Sequence, residues 1–318
     1  MRVFVAGATG AVGRRLVPQL IKAGHEVVGT TRSESKRQEL WNAGAEPVVV
    51  DALDATAVGE AVAKAAPDVI VHQLTALSGS RNLRNFDRVF AGTNALRTRG
   101  TDNLIAAASA CGARRFIAAS YTGWPYARVG GSIKSETDPL DPQPPAQQRE
   151  SLAAINHLEE ATVSAPLTGV VLRYGMFYGP GAFDEMVTAV RKRMVPVVGD
   201  GGGVWSMLHI DDAASAVLAA LDSGEGIYNI VDDDPAVAAE LIPVLASILG
   251  AKPPRHVPLW LGRLLAGEAV ASMLTQARGA SNAKAKRELR WAPTWPSWRE
   301  GFRFGLSDGL SDSAALRG

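Results

Sequence analysis

The sequence predicts an α/β protein, a doubly wound parallel sheet with a smaller carboxyl-terminal part attached to it. Three observations predict this class. Short β-rich runs alternate with helical stretches through the first half of the chain. Those runs are apolar throughout, as strands covered on both faces are, and do not alternate apolar with polar. A glycine-rich turn joins the first run to the first helical stretch. Strands alternating with helices imply parallel pairing through right-handed crossovers.

The elements follow in order. RVFVA (2–6), EVVGTT (26–31), PVVV (47–50), DVIV (68–71) and RFIAA (115–119) read as strands. Helical stretches lie between them near 11–23, 34–43, 55–65 and 100–111. The first carries Val12, Leu16 and Leu20 at helical spacing and ends at Gly24, a residue suited to a helix carboxyl terminus. Pro18 inside it predicts a kink or a missing hydrogen bond. TDPLDPQPPAQQRE, within the change of texture over 122–149, reads as loop. A helix over 150–164, strands at 168–173 and 226–230, and helices near 237–249 and 257–276 follow, with GDGGG (199–203) as a turn. Residues 1–173 are expected to form the sheet domain, with 204–231 returning to it. Residues 174–203 and 232–305 would form the second part, and 306–318 a tail.

Totals narrow the function. The chain has 318 residues, 47% hydrophobic and 20% charged, with a net charge of +1, so neither nucleic acid nor an anionic membrane is an expected partner. Cys111 is the one cysteine, which excludes an internal disulfide and a cysteine-cluster metal site. The five histidines include no HExxH pair, and no metal is expected. The amino terminus enters strand-like sequence at Arg2, and no apolar window is long enough to span a membrane. A cytoplasmic protein is the expectation.

Gly7-Ala8-Thr9-Gly10-Ala11-Val12-Gly13 runs from strand to helix. Glycine permits positive φ and a close approach of backbone. A helix amino terminus offers unpaired N–H groups and a positive dipole end to a pyrophosphate. In this setting the loop predicts a dinucleotide site of Rossmann type. An acidic residue at the end of the second strand would hold a ribose 2′-hydroxyl. Here Thr31 stands in that place, followed by Arg32 and Ser33, with Lys36 nearby. A guanidinium without a carboxylate favours a 2′-phosphate, hence NADP (NADPH) over NAD.

With these motifs the sequence resembles the short-chain dehydrogenase/reductase superfamily, in its extended and atypical, epimerase/dehydratase-like branches, over about residues 1 to 305. The resemblance implies that Asp51 bonds the adenine amine, that Ala52 offers backbone contacts, and that Leu74, Thr75 and Ala76 of HQLTA lie along the cofactor. GTDNLIAAA (100–108), LRYGMFYGPG (172–181) and HIDDAA (209–214) match further family segments. In the last, a helix cap made by Asp211 or Asp212 is the simpler account. RELRWAPTWPSWREGF (287–302) resembles the family's carboxyl-terminal stretch, with Arg290 where glycine is more usual. Trp291, Trp295 and Trp298 are expected to pack together as one local cluster.

The family's redox chemistry normally rests on a Tyr-x-x-x-Lys pair, whose lysine depresses the tyrosine pKa. The matching positions are Ser151 and Ile155, and no such pair occurs anywhere in the chain. Trp205 stands where nucleotide-sugar members carry an arginine, which suits an apolar or aromatic ligand. Tyr121, Tyr126, Tyr174 and Tyr178 are expected to border the pocket, and Tyr121, Ser120 and Tyr178 are the candidate catalytic residues. Tyr121 reads equally as acid or as pocket lining beside Trp124. Lys134 and His157 read as solvated, Cys111 as a buried small residue, and Arg81, Arg84 and Arg88 as a solvated basic loop. The expected activity is an NADP(H)-dependent oxidoreductase acting on a small apolar or aromatic carbonyl or enone, with a non-standard proton donor. A non-redox isomerase, lyase or cyclase on the same scaffold and a non-catalytic NADP-binding sensor stay open. So does pairing into a homodimer.

Overall fold

The computed structural model describes residues 1–76 and 83–306. Seven strands form one parallel sheet: β1 (Arg2–Ala6), β2 (Glu26–Thr31), β3 (Glu46–Val49), β4 (Val69–His72), β5 (Arg115–Tyr121), β6 (Thr168–Tyr174) and β7 (Gly226–Ile230). Their spatial order is β7-β6-β5-β4-β1-β2-β3. The chain direction of travel across the sheet reverses between β1 and β4. A doubly wound sheet binds its ligand at the carboxyl edge of that switch point.

Alternate residues of each strand feed two apolar layers. Val3 and Val5 join Val12, Leu16 and Leu20 of α1 (Ala11–Lys22) and the buried face of α8 (Ile210–Ala220). Phe4, Ile70 and Phe116 join α3 (Ala55–Ala65), α5 (Thr101–Cys111) and α6 (Arg149–Val163) on the other side. Each fully buried leucine or phenylalanine contributes about 1.5–3 kcal/mol. The apolar strands are thus accounted for by helices on both faces. Pro18 does not end α1, and its ring lies on the exposed face.

Several elements differ from expectation. The stretch read as a basic loop contains α4 (Phe86–Ala95), which carries Arg88 and runs through one π-turn (Leu96–Gly100) into α5. Arg84 lies in a short 3₁₀ turn, and Arg81 falls outside the described residues. The helix expected over 257–276 is two, α10 (Leu259–Ala266) and α11 (Glu268–Gln276), because Gly267 breaks it at φ +89°. A helix α7 (Asp184–Arg191) occupies part of the irregular region, and α2 (Arg37–Asn42), α9 (Ala238–Ile248), α12 (Ala283–Glu288) and α13 (Trp298–Phe304) complete the set.

A second core gathers Phe183, Trp205, Met207, Leu241, Leu245, Leu274, Trp298 and Phe302. The three tryptophans therefore do not form one cluster. Trp298 is in this core, Trp291 is in the sheet's core, and Trp295 tilts on His209 at 5.1 Å. Arg290 has φ +53°, so the turn demands the left-handed backbone that glycine adopts freely. The α8 cap is also not an aspartate. The His209 ring accepts the Asp211 N–H at 3.2 Å, while Asp212, buried in the first turn, accepts Thr294 N–H (2.8 Å) and Trp295 N–H (2.9 Å). It ties the carboxyl-terminal segment to the sheet. Cys111 is half-buried rather than buried, since it closes α5 at the surface before Gly112.

Candidate active site

The glycine loop has the geometry of a cradle. Gly7 has φ +93°, and a Cβ there would stand 2.9 Å from the Gln73 carbonyl oxygen. The loop after β1 thus presses directly on the segment after β4. A Cβ on Gly13 would come within 2.4 Å of the Gly7 oxygen and 2.5 Å of the Ala8 oxygen, so only glycine lets α1 start this close to the loop. Gly10 N–H donates to Gly7 oxygen at 3.0 Å and shapes the turn. No side chain caps α1, and no acid sits in its first turn. Its amino terminus therefore presents open N–H groups and an uncancelled dipole, which fits a dinucleotide pyrophosphate.

At the end of β2, Thr31 is buried and its Oγ1 accepts the Ser33 N–H at 3.1 Å. Ser33 and Ser35 hydroxyls meet at 2.7 Å. Arg32 is exposed and has no partner among the described residues. The nearby carboxylates are already engaged, Glu34 with Arg37 (2.9 Å) and Glu39 with Arg14 (2.6 Å). The corner keeps the free positive charge of Arg32 and Lys36. Asp51 is exposed, and its Oδ1 accepts Leu53 N–H at 3.0 Å, while Ala52 is buried with its carbonyl held by Asn103 at 2.9 Å. Leu74, Thr75 and Ala76 follow β4. Leu74 N–H donates to His72 Nδ1 (3.2 Å) and Ala76 N–H to Thr93 (3.0 Å), which fixes the strip along the crevice. Burial pushes His72 down to about 4, with the Arg97 charge acting the same way. The neutral ring accepts at Nδ1, so Nε2 carries the proton and donates to Thr101 Oγ1 at 3.2 Å.

Beyond β5 lies a narrow pocket, with an enclosed volume of about 20 Å³, lined by Tyr121, Thr122, Trp124, Met176, Trp205, Ser206 and Met273 among others. Trp205 Nε1 donates to the Met273 carbonyl at 3.0 Å, which leaves its ring as a wall of this pocket. The tyrosines divide sharply. Tyr174 OH donates to the Ala213 carbonyl (3.4 Å) and accepts from Gln73 (3.1 Å). Tyr126 OH donates to Asn229 (2.8 Å) and accepts from Arg173 (3.0 Å). Tyr228 OH donates to Glu288 at 3.1 Å. Tyr178 is completely buried against His209 and Phe302, with no partner for its hydroxyl among the described residues. Tyr121 alone is half-exposed in the pocket with its phenol committed to no hydrogen bond among the described residues. Burial pushes that phenol up to about 12, and the Arg97 charge pulls against the shift.

Ser120 points the other way. Its hydroxyl donates to Glu159 at 2.6 Å, and Glu159 is gripped bidentately by Arg173 at 2.8 and 2.5 Å. Ser151 and Ile155 occupy the two positions of the absent pair. Ser151 donates to Asp87 (2.6 Å) and accepts from Asn94 (3.1 Å), and Ile155 is wholly buried. Lys134 is not solvated as expected. It is 3% exposed because its ammonium closes its own loop, donating to the Val129 carbonyl (2.6 Å) and Asp138 (3.3 Å). His157 is at the surface, paired with Asp102 at 2.8 Å. Sequence reasoning missed Arg97 and two pocket-lining residues, Met176 from a segment it read as irregular and Met273 from within the stretch it read as the helix 257–276. Among the described residues, no cluster of three or more metal-ligating side chains occurs and no helix is long and apolar enough to cross a membrane.

Of the four tyrosines expected at the pocket, Tyr121 alone lines it, while Tyr126, Tyr174 and Tyr178 are buried in the fold. This sheet, its switch-point cradle and the pocket beside it define a dinucleotide-dependent enzyme class. The chain belongs to the NAD dependent epimerase/dehydratase family, whose model matches residues 3–231. It is 44% identical over 308 residues to a 3-diazoavenalumate denitrifying reductase of a Streptomyces species, covering 95% of this chain and 99% of that one. A Thermus thermophilus UDP-glucose 4-epimerase in complex with NAD is similar at 25% identity and TM-score 0.73, covering 96% and 98% of the two chains. The human epimerase family protein SDR39U1 with NADPH superposes at TM-score 0.74 and 20% identity, covering 98% and 99%. Within the family this chain is an oxidoreductase that uses a nicotinamide dinucleotide.

Proposed function

We propose that the chain is an NADPH-dependent reductase of a small aromatic or apolar acceptor, with Tyr121 as its proton donor. The observation that carries the reading is the uncommitted Tyr121 phenol in a pocket walled by Trp124, Trp205, Met176 and Met273. Gly7, Gly10 and Gly13 would cradle the pyrophosphate, Asp51 and Ala52 the adenine, and Arg32, with Thr31 and Ser33, a 2′-phosphate. Bound dinucleotide supplies the hydride. Tyr121 hydrogen-bonds an acceptor oxygen and releases its proton there as charge builds on that oxygen. A phenol raised to about 12 holds its proton at neutral pH, and the Arg97 charge, which opposes the rise, favours its release. The tryptophan walls exclude water and favour a flat ring. Trp205 leaves no cation at that wall for a diphosphate.

A second reading rests on Ser151 and Ile155 together with the Streptomyces relative's name. When an aryl diazonium is reduced, hydride forms a C–H bond at the ring carbon as the C–N bond breaks and N₂ leaves, so no proton is needed at an oxygen. A site without the Tyr-x-x-x-Lys pair suits that acceptor. One experiment separates the two: NADPH oxidation by Tyr121→Phe, assayed with aromatic ketones, enones and aryl diazo compounds. Loss of one acid is expected to cost about 10²–10⁴ in kcat for a carbonyl or enone. Undiminished turnover of every acceptor would remove Tyr121 as donor, and turnover preserved for diazo compounds alone would establish the second reading.

A further inference from the structure

Arg97 is a buried cation with no hydrogen-bonded partner among the described residues, and the one carboxylate that faces it, Glu159, is shared with Arg173. It lies in the π-turn Leu96–Gly100 and is 8% exposed. Single π-turns inside α-helices are common at functional sites, since they turn side chains off the regular helical rows. Thr101, just past the turn, reaches His72 at the tip of β4 (3.2 Å), and Asn94, before it, reaches Ser151 on α6 (3.1 Å). The turn is thereby pinned across the carboxyl end of β4, beside β5, which ends in Tyr121.

Three titratable groups face Arg97: His72 from β4, Tyr121 from β5 and Glu159 from α6. His72 is neutral. Glu159 already carries the Arg173 guanidinium on both oxygens and the Ser120 hydroxyl on one of them. No group among the described residues accepts a hydrogen bond from Arg97. A buried cation that has only a share in one carboxylate is expensive, and a perturbed charge of this kind marks a candidate functional group.

We propose that Arg97 is the positioning residue for the proton donor, a guanidinium in place of the missing lysine, whose charge near the end of β5 stabilises the Tyr121 phenolate when the proton leaves. This rests on the reading of Tyr121 as the donor. The Tyr121 O–H bond breaks as the acceptor oxygen gains its proton, the cofactor provides the hydride, and the phenolate remains opposite Arg97 until solvent reprotonates it. Lys134 cannot serve, because its ammonium is fixed on Val129 and Asp138. The electrostatics agree in direction: burial raises the Tyr121 phenol, and Arg97 opposes the rise.

The test places difluorotyrosine at position 121 of the full-length protein and follows its fluorine resonance against pH. Fluorination lowers the phenol's ionisation into a range where proteins remain folded. Arg97→Met is expected to raise the midpoint by about one pH unit or more, and Arg97→Lys to retain most of the native value. Arg97→Gln replaces Arg97→Met if the latter does not fold. In the same variants kcat for a carbonyl acceptor falls with KM little changed and recovers partly in Arg97→Lys. An identical midpoint in all forms overturns the proposal, whatever turnover does. A shifted midpoint with full turnover in Tyr121→Phe overturns the donor reading instead, and with it the role of Arg97.

Discussion

Arg32 stands just past the end of β2, exposed and with no bond to the other described residues, so its removal should cost a ligand and not stability. A charge-assisted bidentate hydrogen bond contributes about 1.5–3 kcal/mol, which is about ten- to hundredfold in affinity. Arg32→Ala is therefore expected to weaken NADPH binding by that factor and NADH binding by less than about twofold. Titration followed by nicotinamide fluorescence checks it, and equal losses for both would discard the 2′-phosphate contact. The turn was legible because its cause is local: Gly7, Gly10 and Gly13 shape it within seven residues, at the point where β1 meets α1. Hydroxyl groups were less legible because their partners are distant in sequence. Ser120 is spent on Glu159, 39 residues on, and Tyr174 on Gln73, 101 residues back. No spacing rule foretells such bonds, so Ser120 and Tyr121 looked alike until packing separated them.

At the scale of elements, the close seating of α1 on its loop is the feature that converts sequence into a binding site. Gly13→Ala would put a methyl 2.4–2.6 Å from the Gly7 and Ala8 backbones, which cannot move aside as a flexible side chain could. Overpacking of this sort costs roughly 1–3 kcal/mol. It should also tilt the N–H groups off the pyrophosphate. Gly13→Ala is expected to lower the urea midpoint and to weaken NADPH and NADH alike by more than about tenfold, since the pyrophosphate is common to both. A variant as stable and as tight as the native protein would show that the close contact is dispensable. The helices with a clear apolar stripe, α1 and α3, were readable from period alone. α4 was not. Its buried positions are Phe86, Thr93 and Asn94, two of them polar, and the π-turn after it shifts the register before α5 resumes. Gly267 likewise divides an apolar stretch whose composition looked continuous.

At the scale of the whole molecule, the sheet class was legible because apolar strands and intervening helices repeat along the chain, whereas the second core draws on segments from Tyr178 to Phe302 that no local pattern links. Asp232 sits where the two meet, just after β7. Its N–H donates to the Met207 carbonyl at 2.8 Å, its Oδ1 accepts Asp234 N–H at 3.2 Å, and its Oδ2 has no partner among the described residues. Burial pushes this carboxyl up to about 8, and Asp234 and Asp233 act in the same direction. A group whose folded pKa is raised stabilises fully below its unfolded value, near 4, and that stability is lost as pH rises through 8. His72 works oppositely: held down at about 4 against 6.5 when unfolded, it costs stability as pH falls between those values. Between pH 4 and 6.5 the folded chain keeps one extra proton on Asp232 and the unfolded chain one on His72, so their effects cancel. Above 6.5 only Asp232 differs, and stability should fall by about 2 kcal/mol on reaching pH 8. Urea unfolding at pH 6.5 and 8 checks this with Asp232→Asn as the comparison. The native protein should lose stability across that interval and Asp232→Asn should lose much less, ending as the more stable of the two at pH 8. Parallel losses in both would assign the slope to other groups, Asp212 first among them, since burial raises its carboxyl as well.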